Sequence, residues 1–218
     1  MADERVIYLM KGTLVGLSAG FIVSLFRLGI EFILETVIEG YHFMQEQPIW
    51  LIPWVIFSVT AALIVGKLVK SEPNIKGSGI PQVEGQVQGL ISLNWWPVLW
   101  KKFIGGLLAI GSGLFLGREG PSIQLGSAVG QGISNLTKGD DVEEKILLSS
   151  GAGAGVAAAF NAPLAGLMFV LEEVHHNFSP LLAITTFSSA LVANFVSLNI
   201  FGLTPALDIG MTNTIPIA

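Results

Sequence analysis

The chain has 218 residues, 51% of them hydrophobic and only 12% charged, with a formal net charge of -5. Ordinary globular domains carry about 25% charge, so this composition describes a membrane protein. Without cysteine there is no disulfide framework and no zinc ribbon. Scattered basic residues give no nucleic-acid surface, and no nucleic-acid partner is expected.

The opening segment, MADERVIYLMKGTLVGLSAGF, mixes acids with bases and runs into an apolar stretch longer than a signal peptide's core. It reads as a short cytosolic lead into a retained first helix. The apolar stretch from Gly12 to Ile38 is long enough to cross the ~30 Å hydrocarbon layer. Arg27, Glu31 and Glu35 recur at intervals of four and give it one polar stripe. A second span is predicted over Ile49–Leu68, ending among Lys67, Lys70 and Lys76. The connecting segment, ETVIEGYHFMQEQP, holds no Lys or Arg and is expected as an outer loop. The positive-inside rule then puts the N-terminus in the cytosol of a multi-pass protein of the cell membrane.

Beyond Lys76 the pattern breaks up. GSGIPQVEGQVQGL is too short and polar to span. Trp95, Trp96, Pro97 and Trp100 mark an interface belt, followed by an apolar segment over Phe103–Leu116. Helices are predicted from Pro121 to Leu136, over ILLSSGAGAGVAAAF, over LAGLMFVLEEVHHNF after an Asn161-Ala162-Pro163 turn, and over Leu181–Phe201. The tail from Gly202 reads as the start of a linker. Small residues four apart, Gly16/Gly20, Gly113/Gly117, Gly126/Gly130 and Gly151/Gly155, suit close helix packing. Short helices that start at Gly/Pro breaks survive at membrane depth only where they are buried or line a wet cavity.

Two such starts stand out. GSGIP covers Gly77–Pro81 and GREGP covers Gly117–Pro121. In each, glycines permit a tight turn, and proline sits where a first helical turn tolerates it. The first amides of the helix that follows have no internal partner, and its dipole is positive there. Two converging starts would bind an anion through backbone N–H groups and the Ser78 hydroxyl. Partial charges bind weakly enough for release, whereas a full basic side chain would hold too tightly. Glu119 is an acid within an apolar region and signals function by default. At a helix N-terminus its carboxylate occupies the anion site itself; protonated, it leaves.

Glu172 and Glu173 close another apolar run and point to different faces. Glu172 and His176 have the i,i+4 spacing of metal ligands, but two ligands do not make a site, and no metal is expected. Ser-His-Asp order, HExxH and Walker loops are lacking, GSGLFLG fails the dinucleotide fingerprint, and no enzyme activity is expected.

Together, GSGIP, GREGP and GAGAGVAAAFNAPLAGLMFVLEE resemble the signature segments of the CLC chloride channels and transporters, in order and approximate spacing. The resemblance covers the chain from its first helix onward. It implies an all-α polytopic membrane fold of tilted and broken helices, here the first of two inverted-topology repeats. It implies anion binding at Ser78, Gly79, Ile80, Gly120 and Pro121, a gate at Glu119, a proton relay at Glu173 and a proton-pathway role for Glu84. Chloride and protons are the transported species, and no cofactor is implied. An acid at Glu173 resembles the exchangers rather than the passive channels, and Ser78 favours chloride. The family's G-x-F-x-P motif and late tyrosine do not occur, since the only tyrosines are Tyr8 and Tyr41. Residues 1–218 therefore read as an N-terminal membrane half whose C-terminal partner is missing. A homodimer is expected through the helices after Asn161, over Leu164–Phe169 and Phe187–Val196. Beside antiport stand a chloride channel of the same family and a truncated interaction module that does not transport.

Overall fold

The structure, a computed structural model, describes residues 2–114, 116–176 and 178–202, apart from the side chains of residues 2 and 3. Every regular element among them is helical. The tail read as a linker, 203–218, lies outside the described residues.

Helix α1 spans Ala2–Glu46, far beyond the predicted Gly12–Ile38. The expected outer loop is therefore helix, and only Gln47 separates α1 from the 3-10 turn Pro48–Trp50 that leads into α2, Leu51–Ser71. The reason is local and tertiary together. No proline interrupts the segment before Pro48, and Gly40 alone weakens it. Aromatic pairs then hold the extension against α2, with Tyr41 and Trp54 at 5.1 Å and Phe43 and Trp50 at 5.7 Å between ring centroids.

The buried stripe of α1 is Val15, Ala19, Val23, Phe26 and Ile30, spaced at helical intervals. Beside it, Gly12, Gly16 and Gly20 lie so close to Thr185, Ser189 and Ala193 that a β-carbon would collide with that backbone. Those last residues belong to α8, Pro180–Phe201.

Helix α3, Ile80–Val87, is short as expected. Helix α4, Trp95–Gly111, starts under Asn94, whose side chain accepts from the Trp96 amide. It stops before the predicted Leu116, because Gly113 at φ 89° turns the chain. The pair Gly113/Gly117 is consequently not a helix-packing pair. Helix α5, Glu119–Leu136, and α6, Asp141–Phe160, form the centre: 120–134 and 146–159 are buried without a break. Gly126 faces Gly151, and Gly130 faces the Leu147 carbonyl, so the axes approach as only small residues allow. Asp140 caps α6 by accepting from the Glu143 amide, and Glu143 pairs with Lys11 of α1.

After Asn161, in the left-handed conformation at φ 55°, comes α7, Pro163–Phe169. The predicted single helix over LAGLMFVLEEVHHNF is in fact α7 followed by a π turn, Val170–Val174, closed by the His175 amide donating to the Val170 carbonyl. Among the described residues, two segments, Pro48–Ser71 and Pro180–Phe201, are long and apolar enough to cross a membrane by themselves.

Candidate functional site

The two glycine-proline starts meet. Gly79, at φ 93°, caps α3 in a conformation that glycine adopts freely, and Pro81 sits in the first turn. Across from it, Gly120 in the first turn of α5 rests against Ser78: a β-carbon on Gly120 would stand 2.7 Å from the Ser78 Cβ. Ser78, Ile80, Glu119, Gly120 and Pro121 line one cavity of about 540 Å³. Gly79 is buried just behind them, so all five residues of the expected anion site and Glu119, the expected gate, are brought together.

The Ser78 hydroxyl is exposed, and the Ile80 amide approaches it at 3.4 Å. The half-buried Glu119 carboxylate folds back over the start of its own helix. Its Oε2 occupies the space that a side chain on Gly117 would fill. That placement explains the glycine: any β-carbon at 117 would displace the carboxylate.

Side chains that the sequence reading passed over shape the cavity. Its charged lining is Lys76, Lys101, Lys102 and Glu119, an excess of positive charge that suits an anion. Lys102 of α4 is 4% exposed and donates to the carbonyls of Ile75 at 2.9 Å and Gly77 at 2.7 Å. It thereby fastens the GSGIP turn to α4. Lys101 donates to the Ser71 carbonyl at the end of α2. Gln124, one turn into α5, packs on Gly79 and donates to the Asn74 carbonyl at 2.8 Å, tying the second motif to the approach of the first. Two adjacent lysines inside WWPVLWKKFIGGLL are the signal that could have exposed Lys102. Nothing in the sequence marks the partner of Gln124.

Arg118, for which the sequence supplies no partner, reaches α1. Its Nη1 donates to Glu31 Oε1 at 3.0 Å, and Arg27 Nε donates to the same oxygen at 2.9 Å. Arg27 and Glu31 of the first helix's polar stripe thus reach the start of α5.

The two remaining acids sit elsewhere. Glu84 is half-buried on α3, and Glu173 is exposed on the π turn. Val174 of that turn shares an apolar cluster with Val83 and Val87 of α3, so the elements that carry both acids are neighbours. Among the described residues no hydrogen bond joins the two carboxylates, and no cluster of three metal-ligating side chains includes Glu172 or His176. Beyond the spanning helices, the Ser149 hydroxyl donates to the Lys145 carbonyl at 2.7 Å. Its lone pair therefore accepts Nε2–H from His175, at 2.8 Å. Burial first, and the Lys145 ammonium second, hold the His175 imidazole below its usual range and favour its neutral form.

A sequence profile of the voltage gated chloride channels matches residues 61–218. The chain belongs to that family. It is 41% identical over 194 residues to the H(+)/Cl(-) exchange transporter ClcA of Vibrio parahaemolyticus, an alignment that covers 86% of this chain and 41% of that protein. The like-named transporter of Cronobacter sakazakii is 34% identical over 215 residues, covering 96% of this chain and 46% of that one. The crystal structure of a slow cyanobacterial Cl-/H+ antiporter superposes with a TM-score of 0.85 at 31% identity, over 96% of this chain and 50% of that one. A eukaryotic CLC transporter shares the fold at a TM-score of 0.72. The all-α CLC fold is therefore that of a membrane protein, and the chain spans half or less of the length of these relatives.

Proposed function

We propose that this chain forms the N-terminal half of a chloride/proton antiporter, with a C-terminal counterpart supplying the opposite wall of the pathway. The observation that carries the reading is the contact of Ser78 with Gly120 on one cavity whose charged lining is mainly positive. In this reading the amides at the starts of α3 and α5, shaped by Gly79, Ile80, Gly120 and Pro121, bind chloride with Ser78. Glu119 is a tethered anion that competes for the site, leaves when protonated and so acts as gate. Glu173 receives protons from the cytosolic side, Glu84 lies along their route, and the N-terminus is cytosolic. Exposed Leu164 and Met168 of α7, with Phe187, Leu191 and Phe195 of α8, support a homodimer surface there. The names of the relatives and the acid at Glu173 favour exchange over passive conduction.

The test is flux in liposomes carrying the chain together with its C-terminal counterpart. Glu173→Gln is expected to abolish proton movement while chloride flux persists. Proton coupling that survives this change removes the relay assignment. Chloride current that follows its own Nernst potential whatever the proton gradient would identify a channel, and no flux from the pair would leave an interaction module.

A further inference from the structure

The Glu31 carboxylate, only partly buried, lies against two arginines and sits 87 residues before one of them. Its Oε1 accepts from Arg27 at 2.9 Å and from Arg118 at 3.0 Å. Arg118 is the N-cap of α5, directly before the gate residue. Arg27 is nearly buried, and its guanidinium stacks 3.9 Å from the centroid of the Phe201 ring at the end of α8. Glu31 is accordingly held from behind by Arg27, and in turn holds Arg118 toward α1.

The chemistry of the cavity makes that restraint matter. Chloride binding through backbone amides is reversible because the charges are partial, and a guanidinium within reach would change this. Arg118 without the Glu31 contact has two further attractors: the Glu119 carboxylate next to it in the chain, which it would pin, and the anion, which it would retain. The cavity already carries Lys76, Lys101 and Lys102, of which Lys102 is committed to carbonyls and Lys101 also donates to one. We propose that Glu31 is a positioning residue that keeps the Arg118 guanidinium off both the gate and the anion. This rests on the reading of Glu119 as a gate. Arg27 and Arg118 are the charged groups against Glu31, while Glu35, one turn further along α1, is exposed.

The test uses chloride flux from liposomes carrying the complete pair of halves. Glu31→Gln is expected to slow flux about fivefold, the scale of one partly exposed charged contact. Glu31→Asp, which keeps the charge, should recover most of the rate. Glu31→Gln with Arg118→Gln should return it to the native value, because the cation that Glu31 restrains is gone. Unchanged flux in Glu31→Gln overturns the proposal, as does a slow double variant, which would mark the contact as scaffolding alone. If Glu31→Gln does not reconstitute, recovery of folded, active protein in the double variant supports the proposal and failure of both overturns it. Glu119→Gln separates the two layers. If it leaves the pH dependence of flux intact, the gate reading fails. If it removes that dependence while Glu31→Gln has no effect, only the clamp fails.

Discussion

Helices α5 and α6 form one environment and α2 forms another, although all three belong to the same membrane fold. In the α5–α6 pair every residue from 120 to 134 and from 146 to 159 is buried, and the composition there is mostly glycine, alanine and serine. Helix α2 is richer in large apolar residues, yet buries only Ala61. Hydrophobicity therefore does not locate the core of this protein. In lipid there is little gain in moving leucine from tails to protein, so the centre is set by backbone approach and by polar groups that need partners. The α5–α6 pair carries Glu119 at the start of α5. Its close packing suits the proposed gate, in which a side chain moves while the start of α5 stays in place.

The largest test of this contrast is Gly130→Leu. A β-carbon there would overlap the Leu147 carbonyl, and neither helix can yield without opening the pair. The expected loss is about 3 kcal/mol or more, read as a collapse of the folded fraction in denaturant unfolding of the detergent-solubilised chain. Unfolding within about 0.5 kcal/mol of native would mean that α5 and α6 separate easily.

A smaller effect is expected from Lys102→Met, which keeps the length of the side chain but removes its two donations to Ile75 and Gly77. Losing charge-assisted bonds to two half-buried carbonyls should cost about 2 kcal/mol. It should also raise protease sensitivity around Gly77, measured by limited proteolysis. The smallest effect belongs to Ile56→Ala on α2, where the side chain is 62% exposed. Stability in detergent should stay within about 0.5 kcal/mol. A loss of 2 kcal/mol or more would show α2 to be packed in a way that its exposure does not indicate.

Much of the architecture was legible because its signals are local. Gly79 and Pro163 announce helix starts through their own backbone preferences, and α3 and α7 begin where expected. Asn94 and Asp140 cap α4 and α6 well ahead of the predicted Phe103 and Ile146, because their side chains accept from the amides of the first turn. Misreadings came where local signals competed with distant contacts. The stretch from Glu35 to Glu46 resembles a polar loop, but its rings find Trp50 and Trp54 and it remains helix. The run after Pro163 has the pattern of one helix, yet Val170 begins a π turn that buries Val174 and Val170 together. Gly113 and Gly117 have packing spacing but lie on the irregular link before α5, one turning the chain and the other making room for Glu119.

By itself the sequence determined the membrane class, the helical fold and the two glycine-proline helix starts. Each follows from composition or from a few consecutive residues whose conformational limits are intrinsic. Only the tertiary structure decided how those starts are joined into a site: Lys102 to Gly77 across 25 residues, Gln124 to Asn74 across 50, and Arg118 to Glu31 across 87. Such pairings have no signature along the chain, because a buried donor takes whichever acceptor the packing of helices brings within reach.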